Sequence, residues 1–581
     1  MSDKDKIKDV KECFDKTATD LDGLMTQMEE DFQMYLGDQW EQADKERLEK
    51  EKRPILSINK IKKGIDVITG YQMQNRNEIK VRPIEGSDQA LADVYTEVIK
   101  WVLTDGDSGF SQSQAFKNAC IGGLGWLHPQ LVYDDDIVNG DLIVTSESPF
   151  RMYFDPDLTH PGLRDCKYLI RHAWVDKDAL KMDYPEYKKD IDAMKAGNEN
   201  AFKIQQPRST TKNRMSVIEK WYREYEFKHF IHDATTNQIT EWTKDMESIG
   251  KIKKLIEEYP DEMVPETETT YGQLTVIKRK LPVIKYIMVL ENKLILSEGL
   301  SPYKSRQYPF IPVWGWFAPG FNDWEWKVQG IVRVLKDSQR EVNKSRSAIM
   351  HAVMSMPLSG YWFEEGAVKD PADLKSAGGG VKTIAVKPGK KVNELPPPTL
   401  PTSVAQIEQQ HNLDMREMGP NPDLLGMIGG GTGASAPGIT LQLRQKQGIM
   451  SNQDVFESLS YANRRFGKFV IDIVNNHYSA EKISRIINRE LPPQWEEAKE
   501  NSRYDCMVDE VANSPTYRVM NFMVLTELAK QGLPVPMTTL VEATDLPMNT
   551  KQEIIQYIQQ QQQMAAQQQG APPGPPQGPP Q

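Results

Sequence analysis

Cysteine is scarce in this chain of 581 residues: Cys13, Cys120, Cys166 and Cys506 stand singly and no CxxC pair occurs. That excludes a disulfide framework and the usual zinc spacings, and a reducing cytoplasm is the natural compartment. No apolar run approaches a membrane span, and the opening MSDKDKIKDVKE is charged, so neither an anchor nor a secretory leader is expected. HExxH, GxSxG and Walker A patterns are missing, and the eight histidines are dispersed. The chain is therefore not expected to be an enzyme, although catalytic groups converge in space rather than along the sequence. Positive charge is also short, 71 Lys and Arg against 82 Asp and Glu, a net −11. This balance argues against a module that grips phosphates tightly. It leaves open a conduit past which a polyanion slides, because repulsion is screened beyond roughly 8–10 Å at physiological salt.

What is present reads as an α+β chain, mostly helical, with apolar material for more than one core. Residues 1–50 read as acidic amphipathic helix, with Met25, Met28, Phe32 and Leu36 three to four apart. From Arg53 to Pro83 a stripe of Ile58, Ile61, Ile65 and Ile68 leads to a polar block, Gln72, Gln74, Asn75, Arg76 and Asn77, and then to a strand through Ile79 and Val81. The spacing predicts a helix with one buried face, entered at Asn59. Helices are expected over Ala90–Leu103 and Ser111–Cys120, then a hairpin of Trp126–Tyr133 and Asp141–Ser146 about Asn139-Gly140. The trio Asp134–Asp136 has no further ligand at a defined spacing, so a solvated hairpin tip is expected there. Between Val217 and Trp316 lie β-branched and aromatic strands interrupted by a helix over Lys244–Tyr259. His229 and His232, three apart on the first strand, point to opposite faces and do not suggest a metal site.

The next helix, read over Trp326–Met354, carries Val328, Ile331, Leu335, Ser338, Val342, Ser345 and Ile349 on a near-heptad seam. Arg333, Lys336, Gln339, Arg340, Lys344 and Arg346 fill its other sides. Such a helix is either a surface helix with a solvated face or one that lines a ring or channel. A short strand (Lys382–Val386) and a helix (Ser403–Met418) precede a loop containing Gly426, Gly429, Gly430, Gly431, Gly433 and Gly438. The loop lacks G-x-x-x-x-G-K-[ST], so flexibility explains it better than phosphate cradling. A strong helical stripe follows: Val455, Leu459, Ala462, Phe466, Phe469, Val470 and Ile473, flanked by Arg464, Arg465 and Lys468. A strand over Tyr504–Val511, helices over Thr516–Lys530 and Asn549–Gln560, and a disordered Gln/Pro-rich tail complete the reading.

Several fragments in order, among them GDQW (37–40), RPILSINKIKKGIDVITGYQMQNRNEIKVRP (53–83), GGLGWLHPQLVYDDD (122–136), SPFRMYFDP (148–156), VLKDSQREVNKSRS (334–347) and YDCMVDEVANSPTYR (504–518), resemble the P22-like phage portal proteins. The resemblance implies a portal-type fold with a wing, a helical stem and a small α/β clip, assembled into a ring of normally twelve subunits. It assigns 1–216 to the N-terminal part of the wing, 217–325 to a strand-rich region including the clip, and 326–356 to a stem or channel-facing helix. The C-terminal part of the wing is then 357–545, with the glycine loop (426–438) and a long helix (450–477), and 546–581 is a helix plus tail. It also implies double-stranded DNA passing through without sequence specificity, the terminase large subunit as motor, scaffolding and major capsid proteins, and tail adaptor proteins as partners. No cofactor, metal or membrane is implied, and the location is the capsid vertex of the virion, with host cytoplasm during assembly. Arg340, Lys344, Arg444 and Lys446 are the candidate contacts to DNA phosphates, and the glycines of 426–438 the candidate mobile channel loop. The alternatives are a head–tail connector or adaptor, and a nucleotide-binding enzyme built on that loop.

Overall fold

The computed structural model describes residues 2–76, 78–84, 89–104, 108–195, 213–234, 239–242, 246–264, 270–355, 361–365, 367, 387–394, 402–419, 452–492, 495, 503–509, 515–531, 536–542, 544 and five positions between 550 and 558. The strand expected at Lys382–Val386, the glycine loop with Arg444 and Lys446, and the Gln/Pro tail lie outside these residues, as does most of Asn549–Gln560.

The N-terminal segment is three helices rather than one: α1 (Asp3–Asp20), α2 (Asp22–Leu36) and α3 (Gln42–Lys50). Gly37 ends α2 at φ +105°, a left-handed cap that side chains disfavour. Met25 and Met28 are buried as the stripe predicts, but Leu36, in the last turn, is 68% exposed. Helix α4 (Lys60–Gln74) is entered at Asn59, whose Oδ1 accepts from Lys62 N at 2.9 Å. Ile61, Ile65 and Ile68 are fully buried, while Ile58 precedes the helix. Strand β1 (Glu78–Ile84) follows, and its antiparallel partner is β15 (Arg503–Asp509), from Glu78↔Asp509 to Ile84↔Arg503.

Helices α5 (Gln89–Thr104) and α6 (Ser108–Gly122) lead to β2 (Leu124–Val132). Within the GGLG turn, a Cβ on Gly125 would lie 1.9 Å from Ala115 O, so only glycine lets β2 approach α6 this closely. Strand β2 pairs with β3 (Asp141–Glu147) on one side and β10 (Ile311–Trp314) on the other. The predicted hairpin is present, but its loop is not wholly solvated. Asp136 accepts from Val138 N and Asn139 N, and lies 3.2 Å from Lys482 Nζ of a C-terminal helix.

A six-stranded sheet has the order β4 (Met152–Phe154), β5 (Tyr168–Asp176), β6 (Arg214–Asp233), β8 (Leu274–Leu290), β9 (Leu294–Leu300), with β7 (Ile239–Glu241) on the far end of β6. It draws two strands from before residue 217, so the strand-rich region is not closed at that position. Helices α7 (Lys177–Asp183) and α8 (Lys188–Ala193) cover one end through a small core of Leu180, Ile191, Met215, Leu290 and Leu296. Strand β5 pairs no further than Tyr168↔Tyr222 and β9 no further than Lys285↔Leu300. Beyond them β6 and β8 continue as a ribbon from Arg223↔Ile284 to Asp233↔Leu274, roughly 35 Å at strand rise. Helix α9 (Met246–Glu258) lies in the connection, close to the expected range.

The next long helix starts later than Trp326. Trp324–Lys327 forms the short α10, and β12 (Val328–Gln329) pairs with β11 (Trp316–Phe317) before α11 (Ile331–Ser355) begins. After β13 (Tyr361–Phe363) and β14 (Val392–Glu394), α12 (Thr402–Met418) packs along α11. Helix α13 (Gln453–His477) buries all seven residues of its predicted stripe against β10, β15 and α5. Helices α14 (Ala480–Ile487), α15 (Pro515–Lys530) and α16 (Met537–Glu542) follow. Trp126, Phe154, Phe310, Trp314, Phe466 and Phe469 are among the largest side chains of the main core.

Candidate functional site

Helix α11 carries the basic residues singled out by sequence. One apolar side, Ile331, Val332, Leu335 and Val342, is buried. The cations beside it face α2, α3 and α12 and are answered by carboxylates. Arg333 donates to Asp31 Oδ2 at 2.8 and 3.0 Å, and Lys336 to Glu30 at 2.6 Å with Asp31 Oδ1 at 3.2 Å. Arg340 pairs with Glu30, with Glu41 at 3.7 Å and with Asp337 at 3.4 Å. Lys344 pairs with Asp44 at 2.7 Å, and Arg346 with Glu408 of α12 at 2.9 Å. Asp31 has no exposed surface, and burial raises its pKa above the ordinary carboxylate value against the pull of Arg333 and Lys336. Burial also opposes ionisation of Glu30, but Lys336 and Arg340 hold its pKa below the ordinary value.

A polar row on α11 holds the chain between α3 and α4. Gln339, Asn343 and Ser347, four apart and buried, act as a surrogate strand edge. Leu56 N donates to Ser347 Oγ (3.0 Å), Ile58 N to Asn343 Oδ1 (2.9 Å) and Lys60 N to Gln339 Oε1 (3.0 Å). Gln339 Nε2 returns a bond to Ile58 O at 2.7 Å. Asn343 Nδ2 donates to Gln39 Oε1 at 2.7 Å, Gln39 donates to Met34 O at 2.9 Å, and Trp40 Nε1 to Leu56 O at 3.1 Å. The GDQW and RPILSINK fragments thus form one strap on α11. Sequence reading placed Gln339 among the solvated flanks and passed over Asn343 and Ser347. Their signal was the i, i+4, i+8 repeat of side chains able to accept a backbone N–H.

The structure brings Arg340 and Lys344 onto this one helix face, each in an ion pair. At the other end of α11, Met350, Val353 and Met354 are exposed, as are Ile407, Leu413 and Met418 of α12.

Other clusters have the look of chemistry but are structural. His128, Glu147, Arg171 and Glu219 join the two larger sheets, with Arg171 2.8 Å from Glu147 and 3.2 Å from Glu219. Burial opposes ionisation of Glu147, yet the hydrogen bond from His128 and the charge of Arg171 hold it down to about 2. Cys120 and Cys166 are buried, and burial pushes the Cys166 thiol up to about 12, far from a nucleophile's range. Among the described residues no group of three or more His, Cys, Asp or Glu side chains is placed to hold a metal ion, and no helix is long and apolar enough to cross a membrane.

The portal protein of Helicobacter pylori bacteriophage KHP30 is 21% identical to this chain over 454 residues. The match covers 77% of this chain and 62% of that relative's own length. The sequence model described as "Phage P22-like portal protein" matches residues 12–581, nearly the whole length, and the chain belongs to that family.

Proposed function

We propose that the chain is the subunit of a portal: a ring at a unique capsid vertex through which double-stranded DNA is packaged by a terminase motor and later ejected, and onto which tail proteins attach. The family match over 12–581 carries this reading. The expected role is structural, with ATP turnover belonging to the motor. The uncovered apolar side chains of α11 and α12 suit a neighbouring subunit, since six large exposed apolar groups on one helix pair mark an interaction surface. The ribbon of β6 and β8 with α9 is the proposed clip. Arg444 and Lys446 are the proposed phosphate contacts beside the glycine loop. Arg340 and Lys344 could serve DNA only by exchanging Glu30 and Asp44 for phosphate.

Negative-stain imaging of the purified full chain tests the assembly, with closed rings around a central hole expected. Failure to form rings at any concentration, together with ATP hydrolysis by the isolated chain, would overturn it. Charge reversal to Glu at Arg444 and Lys446 should slow packaging while rings persist. Unchanged packaging would remove those two residues from the DNA path.

A further inference from the structure

Away from α11, five arginines from four segments gather with no carboxylate within ion-pair distance among the described residues. Arg464 and Arg465 lie on α13, Arg164 on the loop before β5, Arg223 on β6 and Arg306 on the loop before β10. Close approach holds these segments together: a Cβ on Gly162 would meet Tyr461 Oη at 2.2 Å, and the Arg464 guanidinium lies 5.6 Å from the centre of the Tyr461 ring. Arg223 donates to the carbonyls of Leu163 (3.1 Å) and Arg164, and rests 5.3 Å from the centre of the Tyr308 ring. Its Nε is buried and unpartnered. Leu163, in the loop it clamps, has φ +57°.

The nearby carboxylates are hydrogen-bonded to other groups, and Asp472 acts on Arg306 and Arg465 only through charge at longer range. Asp165 accepts from Thr159 N (2.8 Å), Thr159 Oγ1 and His160 N. Asp472 accepts from Ser305 Oγ at 2.6 Å. Burial and the like charges of Arg164 and Arg223 lower the pKa of Arg465 against the weaker pull of Tyr461 and Asp472, and a bound anion would raise it again. None of the five arginines has a carboxylate within ion-pair distance among the described residues, whereas five cations on α11 each have one. All are arginines, whose planar forks match tetrahedral or planar oxyanions better than lysine does.

We propose that the Arg164, Arg223, Arg306, Arg464 and Arg465 cluster is a binding site for phosphate-type oxyanions, supplied either by free phosphate or by a nucleic-acid backbone. Arg223 positions the loop. Arg465 forms the floor, and the exposed Arg164, Arg306 and Arg464 close on the ligand.

The test uses the full chain and a triple variant, Arg164→Gln with Arg306→Gln and Arg464→Gln, chosen because all three side chains are exposed. A charge-matched control replaces Lys278, Arg279 and Lys280 on the ribbon by Gln. Calorimetry with pyrophosphate at about 50 mM salt should show at least a tenfold loss of affinity in the triple variant and none in the control. Fluorescence polarisation with a short DNA duplex separates the sources. A fall of about two to three in the salt slope assigns the site to a nucleic-acid backbone, while an unchanged slope with pyrophosphate binding lost assigns it to free phosphate. Equal binding of both probes by wild type and triple variant overturns the site, as does a wild type that binds neither. A triple variant that changes only the oligomeric state by light scattering also overturns it, in favour of an acidic surface on a second copy.

Discussion

Helices α11 and α13 are each 25 residues long, and both carry basic side chains beside an apolar stripe. In sequence they look alike. In the structure, Arg333, Lys336, Arg340, Lys344 and Arg346 are all neutralised by carboxylates from α2, α3 and α12 or their flanks, whereas Arg464 and Arg465 have no carboxylate within ion-pair distance among the described residues. A cation on a helix flank therefore says little about its use until the opposing element is known. Of those opposing elements, α2 and α3 lie some 300 positions away along the chain.

Removing the buried anion should have the largest effect. Asp31→Ala removes the carboxylate partner of Arg333 and leaves Lys336 with Glu30 alone, and should cost about 3–5 kcal/mol, the range for breaking one side of a buried pair. Thermal unfolding reads this directly, and a loss below about 1 kcal/mol would mean the cluster is not what fixes α2 to α11. Asn343→Ala should cost about 2 kcal/mol, because Ile58 N and Gln39 Oε1 both lose their partner. Hydrogen exchange should show faster exchange at Ile58 than at the buried turns of α4; unaltered protection there would dissolve the strap.

The pH response comes next in size. The folded pKa of Glu30 lies below its ordinary 4.5, so its stabilisation is fully present above 4.5 and is lost as pH falls through the folded value. Glu30→Gln should therefore flatten the dependence of Tm on pH below 4.5. Parallel curves for variant and wild type would remove Glu30 from that role. The smallest effect belongs to α13. Arg464→Gln should change stability by no more than about 0.5 kcal/mol, or raise it slightly by relieving like-charge repulsion. A loss above about 1 kcal/mol would show that this arginine has a structural partner and would erase the contrast.

Much of the fold was legible in residue spacing. Ile61, Ile65 and Ile68, the Asn59 cap and the seven-residue stripe of α13 emerge as read, because helix period and capping are local properties. What failed was what depends on distant chain. The early start assigned to α11 missed the pairing of β12 with β11, and the 1–50 helix missed the break at Leu21 and the cap at Gly37. At the site, Gln339 reads as part of a solvated flank because polar residues usually are, and Asn343 and Ser347 carry no expectation of their own. Only the strap explains their burial. The five-arginine cluster was illegible for the same reason, since its members come from positions 164, 223, 306, 464 and 465.

The pairing of β1 with β15 has a consequence for synthesis. Ile84 and Arg503 face each other but are separated by about 420 positions. At roughly 5–20 residues per second the ribosome takes about 20–85 s to cover that distance. Throughout this interval β1 has left the tunnel with Ile79 and Val81 and an open hydrogen-bonding edge, the kind of surface that recruits other chains. Polysomes bring many such edges close together. A nascent chain halted before residue 503 therefore holds an adhesive strand whose proper partner has not yet been made, and solubility should rise sharply in fragments that extend past residue 509.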